Sequence, residues 1–520
     1  MDFLSLVLAS AERVPMKTAV VVGGASISYR TLVDRAFRLA AGLRRAGVAR
    51  GDAVGIYLHD CREWIETFLA ASLAGAWPVP INYRYGGREV SHIVRDASLR
   101  ALVYEPALAA AIDATARGNV IAIAVDGGDG TRDDAIPYSV LAGETPMPSE
   151  PSASPLDVHC IAYTSGTTGL PKGALCTHAN TVLGHWTAAL YWGLVESDRF
   201  LIASPLCHRV GLGRLMNALA LGATCELPPR FDADDVLRRL TETPVTVISL
   251  VPTMARMIAA AAGGRQFPDA ALRSIVLTGE ALPETTRAAV IRMFPRARCV
   301  SYFASTECGV VSVLDPEHQL THGRSVGRPV AGVRVRIRDD SGAWVAVGEV
   351  GEICIKSGEP GMGSVFRGYV GIGRSEDLFV DGWFRTGDVG RVDEDGFLYI
   401  VDRQKDMVIS GGLNIASKEV EEVLLSHPGV REAAVVAAPD DTYGEAVVAY
   451  VVPATAGAVS APELIAHCRA RMAGYKKPRA VVFVDDLPRN AVGKVLKAEL
   501  RRRAAEGAAK PGTAHVTQGD

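Results

Sequence analysis

"YTSGTTGLPKG", Tyr163–Gly173, packs four serine and threonine hydroxyls and three glycines around Lys172. The flanking segments "VHCIAY" and "ALC" read as strands, so the stretch is a loop joining two extended segments. Glycines let backbone amides approach a phosphate, hydroxyls donate hydrogen bonds, and the lysine supplies positive charge. The loop is a phosphate cradle in composition. It is not the P-loop of ordinary NTPases, because Pro171 stands five residues after Gly166 where that motif requires glycine, and no helix follows at once. A flexible solvent loop has the same small polar composition, so the rest of the chain has to decide between the two.

With 520 residues, 48% of them hydrophobic, the chain is too long for one core and should split into two or more domains. Its 58 acidic and 55 basic residues nearly cancel, which argues against a nucleic-acid or anionic-membrane partner. Any charged ligand must be met locally. Nine cysteines are scattered with no two closer than nine residues, which excludes a zinc knuckle or a CxxC redox pair. Scattered thiols and the start "MDFLSLVLAS", which has no basic leader, give a cytoplasmic expectation. "WIETFLAASLAGAWPVPI" (Trp64–Ile81) contains Glu66 and two prolines, and suits a buried helix followed by a strand better than a membrane span.

Up to about residue 400 the pattern alternates helices with short β-branched strands, the mark of layered α/β structure. "SYRTLVDRAFRLAAGLRRAG" reads as a helix capped by Ser28 and closed by Gly47, and "DAVGIYL" as the strand after it. In "RSIVLTGEALPETTRAAVIRMF" the turn from Thr278 to Pro283, with Gly279, separates strand from helix, where parallel sheets bind ligands. Beyond Thr321 strands and turns predict a smaller β subdomain. After Arg403 the helices "SKEVEEVLLSHPGV" and "APELIAHCRARMAG" and the strands "EAAVVAA" and "EAVVAYVVP" predict a separate α+β domain. The final stretch, "AAEGAAKPGTAHVTQGD", lacks a sustained apolar pattern and is expected to fray.

Four further constellations carry chemistry. In "YFASTE" (Tyr302–Glu307) Thr306 can hydrogen-bond an anion, Glu307 is a hard oxygen ligand for magnesium, and Phe303 can stack on a base. In "WFRTGD" (Trp383–Asp388) a carboxylate expected beyond a turn can accept two ribose hydroxyls. "VDRQKDMVISGGLNI" (Val401–Ile415) joins charges to a glycine pair at the expected domain boundary, and "PRNAVGKVLKAEL" places Lys494 after a tight turn. Each alone is weak, since an acid and an aromatic near a strand end more often pack and solvate than catalyse.

Together, in this order, the motifs make the chain resemble the adenylate-forming superfamily: acyl-CoA synthetases, adenylation domains of peptide synthetases and beetle luciferases. The similarity runs from "SYRTL" to "GKVLK", nearly the whole chain. It implies an α/β fold with a large layered N-terminal domain (1–402) carrying a β subdomain, a small mobile α+β lid (403–505), and a disordered tail (506–520). A carboxylate would attack the α-phosphate of ATP to give an acyl-adenylate and pyrophosphate. A thiol would then displace AMP.

By resemblance, Thr164, Ser165, Gly166, Thr167, Thr168, Gly169 and Lys172 hold the β- and γ-phosphates, with Thr168 and Glu307 on Mg2+. Phe303 stacks on adenine, Thr306 touches the α-phosphate, and Asp388 and Arg403 bind ribose. Lys494 swings in to neutralise charge at the α-phosphate and acyl carboxylate, and Lys405 is the hinge. Gly411 and Gly412 line the pantetheine tunnel, and Lys476 in "GYKKP" meets the phosphates of coenzyme A. His208 in "PLCHRVGLG" gates the acyl pocket, where Trp186, Ala304 and Gly279 are also placed. His185, Trp186, Trp192 and Val210 lead us to expect an apolar cavity.

Among the branches, no carrier domain follows the lid, and the aspartate of an amino-acid-activating pocket is absent: "RFDADDVLRRL" reads as a helix start. An acyl-CoA synthetase acting on a small carboxylic acid and free coenzyme A is therefore expected, with a homodimer as candidate assembly. The alternatives are a ligase loading a carrier protein, or a variant performing mainly one half-reaction. The pattern departs at Ala304, where the family has glycine, at Cys207, where an aromatic is common, and at Ser417, where proline is frequent. Ala304 bears most on the chemistry, because that glycine lies against the acyl group and adenylate.

Overall fold

The computed structural model describes residues 2–112, 120–125, 131–146, 153–164, 170–278, 282–371, 378–411, 413–455, 457–489 and 495–508. They form two compact units: residues 1–335, 355–385 and 395–398 in the first, and 336–354, 386–394 and everything from 399 in the second. The strands expected after Thr321 are present as Arg334–Arg338, Gly351–Lys356, Trp383–Val392 and Leu398–Arg403. The division passes through this stretch several times, rather than once at residue 402.

The first unit is built on a nine-stranded sheet. Within it Arg199–Leu201, Val247–Leu250, Ser274–Leu277 and Arg298–Ser305 lie side by side in parallel, and Gly309–Leu314 pairs antiparallel with the last. Pro252–Ala262 and Glu284–Met293 are the helices that follow two of these strands. Leu201, Val245, Ile248, Leu250, Ile258, Ile275, Leu277 and Val290 meet in one core. Each such side chain contributes about 1.5–3 kcal/mol when fully buried. Parallel strands end at one edge of a sheet, so Thr278 and the Thr306–Glu307 turn emerge on the same side.

A second, parallel sheet of five strands contains Ala53–Tyr57 at the expected place, between Trp77–Pro80 and Leu99–Tyr104. The helix before it spans Tyr29–Arg45, and the Ser28 side chain accepts from the Thr31 amide, as the capping pattern predicted. Trp64–Ile81 is the buried helix Arg62–Leu73 followed by a strand, and among the described residues no helix is long and apolar enough to cross a membrane.

In the second unit the strands Val430–Asp440 and Gly444–Pro453 form a long antiparallel hairpin. Their alternation sorts side chains to two faces. Val435, Val447, Ala449 and Val451 pack with Val420, Leu424 and Leu464 of the helices Ser417–Leu425 and Ala461–Arg469. Ala434, Val436, Val448, Tyr450 and Val452 pack with Leu500 and Ala504 of the helix Lys497–Ala508. That last helix carries regular backbone through Ala504–Ala508, the first residues of the stretch expected to fray, with Leu500 and Ala504 buried against the sheet; 509–520 lie outside the described residues.

Candidate active site

The phosphate-loop flanks form an antiparallel hairpin, Val158–Thr164 with Lys172–Thr177, and Thr164 lies directly opposite Lys172. Ser165, Gly166, Thr167, Thr168 and Gly169 lie outside the described residues, as do Gly279, Gly412 and Lys494. The hairpin continues into the helix His178–Trp192, started by a capping box between Thr177 and Asn180. Asn180 and Thr177 also donate to the carbonyls of Gly363 and Gly361 at 2.6 and 2.5 Å. These bonds tie residues 361–370 to the hairpin. Leu175 and Val370 extend the seam by donating to the Gly368 and Gly173 carbonyls at 2.9 Å.

Against this frame Glu307 is met by two hydroxyls. Tyr369 donates to its Oε1 at 2.8 Å and Thr164 to the same oxygen at 3.4 Å. The Lys172 ammonium lies 5.6 Å from the centre of the Tyr369 ring. Glu307 sits in a turn organised by the Ser305 hydroxyl, which accepts from the Glu307 and Cys308 amides at 3.2 Å. The Glu307 carbonyl accepts from the Phe366 amide at 2.7 Å. A carboxylate, two hydroxyls and an ammonium thus lie together where the hairpin strands end, a donor set that suits phosphate oxygens and a hard cation. Among the described residues no group of three acidic or thiol side chains could hold a metal alone. One carboxylate suits Mg2+, which keeps waters and takes most of its protein-side ligation from few carboxylates and substrate phosphates.

Phe303 is buried in the strand Arg298–Ser305, and the pairing register slips between Phe303 and Ala304. Such a bulge re-aims the following side chains, here Ala304 and the Thr306–Glu307 turn. His208 is half-buried at the start of the helix Arg209–Leu221. Burial, with the Arg84 charge adding to it, pushes its pKa down to about 4, so the ring is neutral near pH 7.

The residues expected around the acyl pocket divide in the structure. Trp186 is 49% exposed, whereas Trp192 is 1% and His185 2%. Helical geometry explains the split: six residues turn the chain about 240°, whereas seven return it almost to the same face. The cluster is also not apolar, because Arg214 and Asn217 are buried within it. Hydrophobicity at the quoted positions gave no sign of either.

In the second unit Asp388 and Arg403 come together at 2.5 Å. Asp388 lies inside the strand Trp383–Val392 rather than beyond a turn, and Gly387 before it takes φ +69°. Its amide donates to Thr386 Oγ1 at 3.1 Å, and Thr386 in turn donates to the Ile353 carbonyl. Arg403 is placed from behind by fully buried Asp402, which accepts from the Arg403 amide at 2.7 Å and from the Ser417 hydroxyl at 2.7 Å. Ser417, a departure from the family pattern, thus has a local use.

Lys405 is exposed in the short turn Gln404–Asp406, and its carbonyl accepts from Arg501 at 3.0 Å. Gly411 takes φ +59°, with the Tyr443 ring 3.2 Å from where a β-carbon would stand. Lys476 is not a free cation: its ammonium is paired with Glu419 at 2.7 Å. Tyr369 belongs to no motif and nothing in its local sequence marks it, whereas Asp402 lies within Val401–Ile415 but had no role there.

The AMP-binding enzyme family matches residues 7–370, and its C-terminal domain matches 419–494. The chain belongs to the AMP-binding enzyme family. A feruloyl-CoA synthase of an Amycolatopsis species is 37% identical over 497 residues, 95% of this chain and 97% of that protein. A 2-succinylbenzoate–CoA ligase of Bacillus licheniformis is 36% identical over 502 residues, 96% of this chain and 100% of the relative. The o-succinylbenzoate CoA synthetase MenE of Bacillus subtilis has been solved with ATP and magnesium ion. It superposes with TM-score 0.84 at 31% identity, covering 95% of this chain and 98% of that one.

Proposed function

We propose a role for each site residue in an AMP-forming carboxylate–CoA ligase. The enzyme joins a carboxylic acid to coenzyme A at the expense of ATP, through an acyl-adenylate. The acid's carboxylate attacks the α-phosphate, pyrophosphate leaves, and the thiol of coenzyme A then attacks the acyl carbon and expels AMP. The carrying observation is Glu307, hydroxyl-bonded by Tyr369 and Thr164 beside Lys172 at the mouth of the phosphate loop. Glu307, with Thr168, would hold Mg2+, which neutralises charge on the phosphate oxygens.

In this reading Thr164, the loop residues Ser165–Gly169 and Lys172 bind the β- and γ-phosphates. Phe303 stacks on adenine, and Thr306 donates to the α-phosphate. Asp388, pre-oriented by Arg403, accepts the ribose hydroxyls. Lys494, on a lid beginning at residue 403 and turning about Lys405, offsets charge on the carboxylate and α-phosphate during the first step. Gly411 and Gly412 leave room for pantetheine. Lys476 would have to exchange Glu419 for a phosphate. His208 and Ala304 border the acyl group, with Gly279 beside them. Near-zero net charge supports small-molecule rather than nucleic-acid partners, and nine free thiols support a cytoplasmic setting. A homodimer belongs to the same proposal.

The test is a panel of carboxylic acids with ATP, magnesium and coenzyme A, read separately for pyrophosphate, AMP and thioester. Thioester from free coenzyme A with at least one acid is expected. Turnover only with a phosphopantetheinylated carrier protein would move the acceptor to that carrier.

A further inference from the structure

Arg214 lies on the helix Arg209–Leu221, 6% exposed, with its guanidinium carbon 4.0 Å from the centre of the Trp192 ring. Among the described residues its Nε and Nη1 have no acceptor. Among the described residues no carboxylate acts on it: burial disfavours its charge most, Tyr302 favours it by its charge and by a side-chain hydrogen bond, and Arg209 opposes it. A charge taken out of water without an anion is costly, and natural cores seldom keep one.

The surroundings share this surplus of donors. Asn217, one turn on from Arg214, approaches His185 Nδ1 with its side-chain nitrogen at 3.2 Å. With the amide donating, Nδ1 is the acceptor, so neutral His185 carries its proton on Nε2. That nitrogen has no partner among the described residues, nor has Trp192 Nε1. Both rings are at least 98% buried. Against these four unsatisfied donor nitrogens stands one unsatisfied acceptor in the cluster, Asn217 Oδ1.

In the ligase reading the cluster adjoins the acyl side of the site. Trp192 packs on Tyr302 with ring centres 4.8 Å apart, and Tyr302 immediately precedes Phe303 and Ala304. Arg214 follows His208 by six residues, about 9 Å along a helix axis.

We propose that Arg214, supported by His185 and Asn217, is an anion-reading subsite that takes a second carboxylate, at the end of the acid remote from the one activated. The proposal rests on the ligase reading and names its substrate class: dicarboxylic acids. A carboxylate supplies the two acceptor oxygens that a guanidinium edge demands, and a neutral His185 donates to it without adding charge.

The experiment compares α,ω-dicarboxylic acids from adipic to sebacic, and terephthalic acid, each with its monomethyl ester. Full-length wild type, Arg214→Met and Arg214→Lys are assayed by pyrophosphate release, and diacid binding without ATP is followed by calorimetry. Wild type should favour at least one diacid over its ester by roughly 10- to 100-fold in kcat/KM, the span expected for a hydrogen-bonded charge. In Arg214→Met that ratio should collapse toward unity, and in Arg214→Lys it should fall only in part. Methionine removes the buried charge at similar volume, so the variant is expected to fold. If wild type activates acids but its ratio persists in Arg214→Met, the subsite is wrong and the ligase reading stands. Diacid binding to wild type but not to Arg214→Met, with no acid activated, would uphold the subsite and sink the ligase reading. Neither turnover nor binding would overturn both.

Discussion

Tyr369 donates its phenol to Glu307 Oε1 at 2.8 Å, and the same ring lies 5.6 Å from the Lys172 ammonium. One side chain therefore stands between the acid and the base that flank the phosphate loop. Tyr369→Phe keeps the ring near Lys172 but removes the hydrogen bond. Bonds to charged groups contribute about 1.5–3 kcal/mol, so Glu307 should lose its fixed orientation and the apparent affinity for magnesium–ATP should fall by roughly 10- to 150-fold. Pyrophosphate release titrated with magnesium measures it. An unchanged titration would show that Thr164 and the backbone hold Glu307 unaided.

Lys494→Ala separates the half-reactions. Loss of an electrostatic stabiliser costs roughly 10²- to 10³-fold in rate, here in acyl-adenylate formation. Thioester formation from a supplied acyl-adenylate should be largely spared. Equal loss of both steps would remove Lys494 from the role given to it.

Ala304 stands just after the register slip in its strand, where the family has glycine. Ala304→Gly removes a methyl from the acyl side, and one carbon in a tight pocket is worth about 1–3 kcal/mol of discrimination. Bulkier acids should be admitted, or adenylation accelerated, across the same acid panel. Matching profiles for mutant and wild type would mean that the methyl faces elsewhere.

Buried His185 titrates at about 4 rather than near its ordinary 6.5, first because of burial and then because of the Arg214 charge. The unfolded chain therefore binds a proton that the folded one refuses. Its stabilisation is complete above pH 6.5 and is lost as pH falls toward 4, by about 3 kcal/mol at most. Urea unfolding between pH 7 and pH 4 should show a shallower pH dependence for His185→Gln than for wild type. Parallel curves would remove His185 as the source.

The hairpin flanking the candidate phosphate loop, the Ser28 cap and the strands around them were legible because each depends on neighbours in sequence: turn residues between two extended segments, a capping hydroxyl, an alternation. Asp388 and Arg403 were both named from motifs, but the ion pair between them and the support of Asp402 behind it were not. The division among the expected pocket residues was partly readable: heptad spacing puts His185 and Trp192 on one helical face and leaves Trp186 off it. The charge of Arg214 had no such signal, because a lone arginine in an apolar helix reads equally well as a surface residue.

The sequence by itself determined which residues are candidates for handling nucleotide, since phosphate binding needs small and hydroxyl-bearing residues at fixed local spacing. Only the tertiary structure decided which side chains face one another: Tyr369 and Glu307 are 62 positions apart, and Thr164 and Glu307 are 143 apart. Local preference carries no information across such separations. Whether a buried donor finds an acceptor depends on the packing of helices and strands, and that packing leaves Arg214 Nε and Nη1 without an acceptor among the described residues.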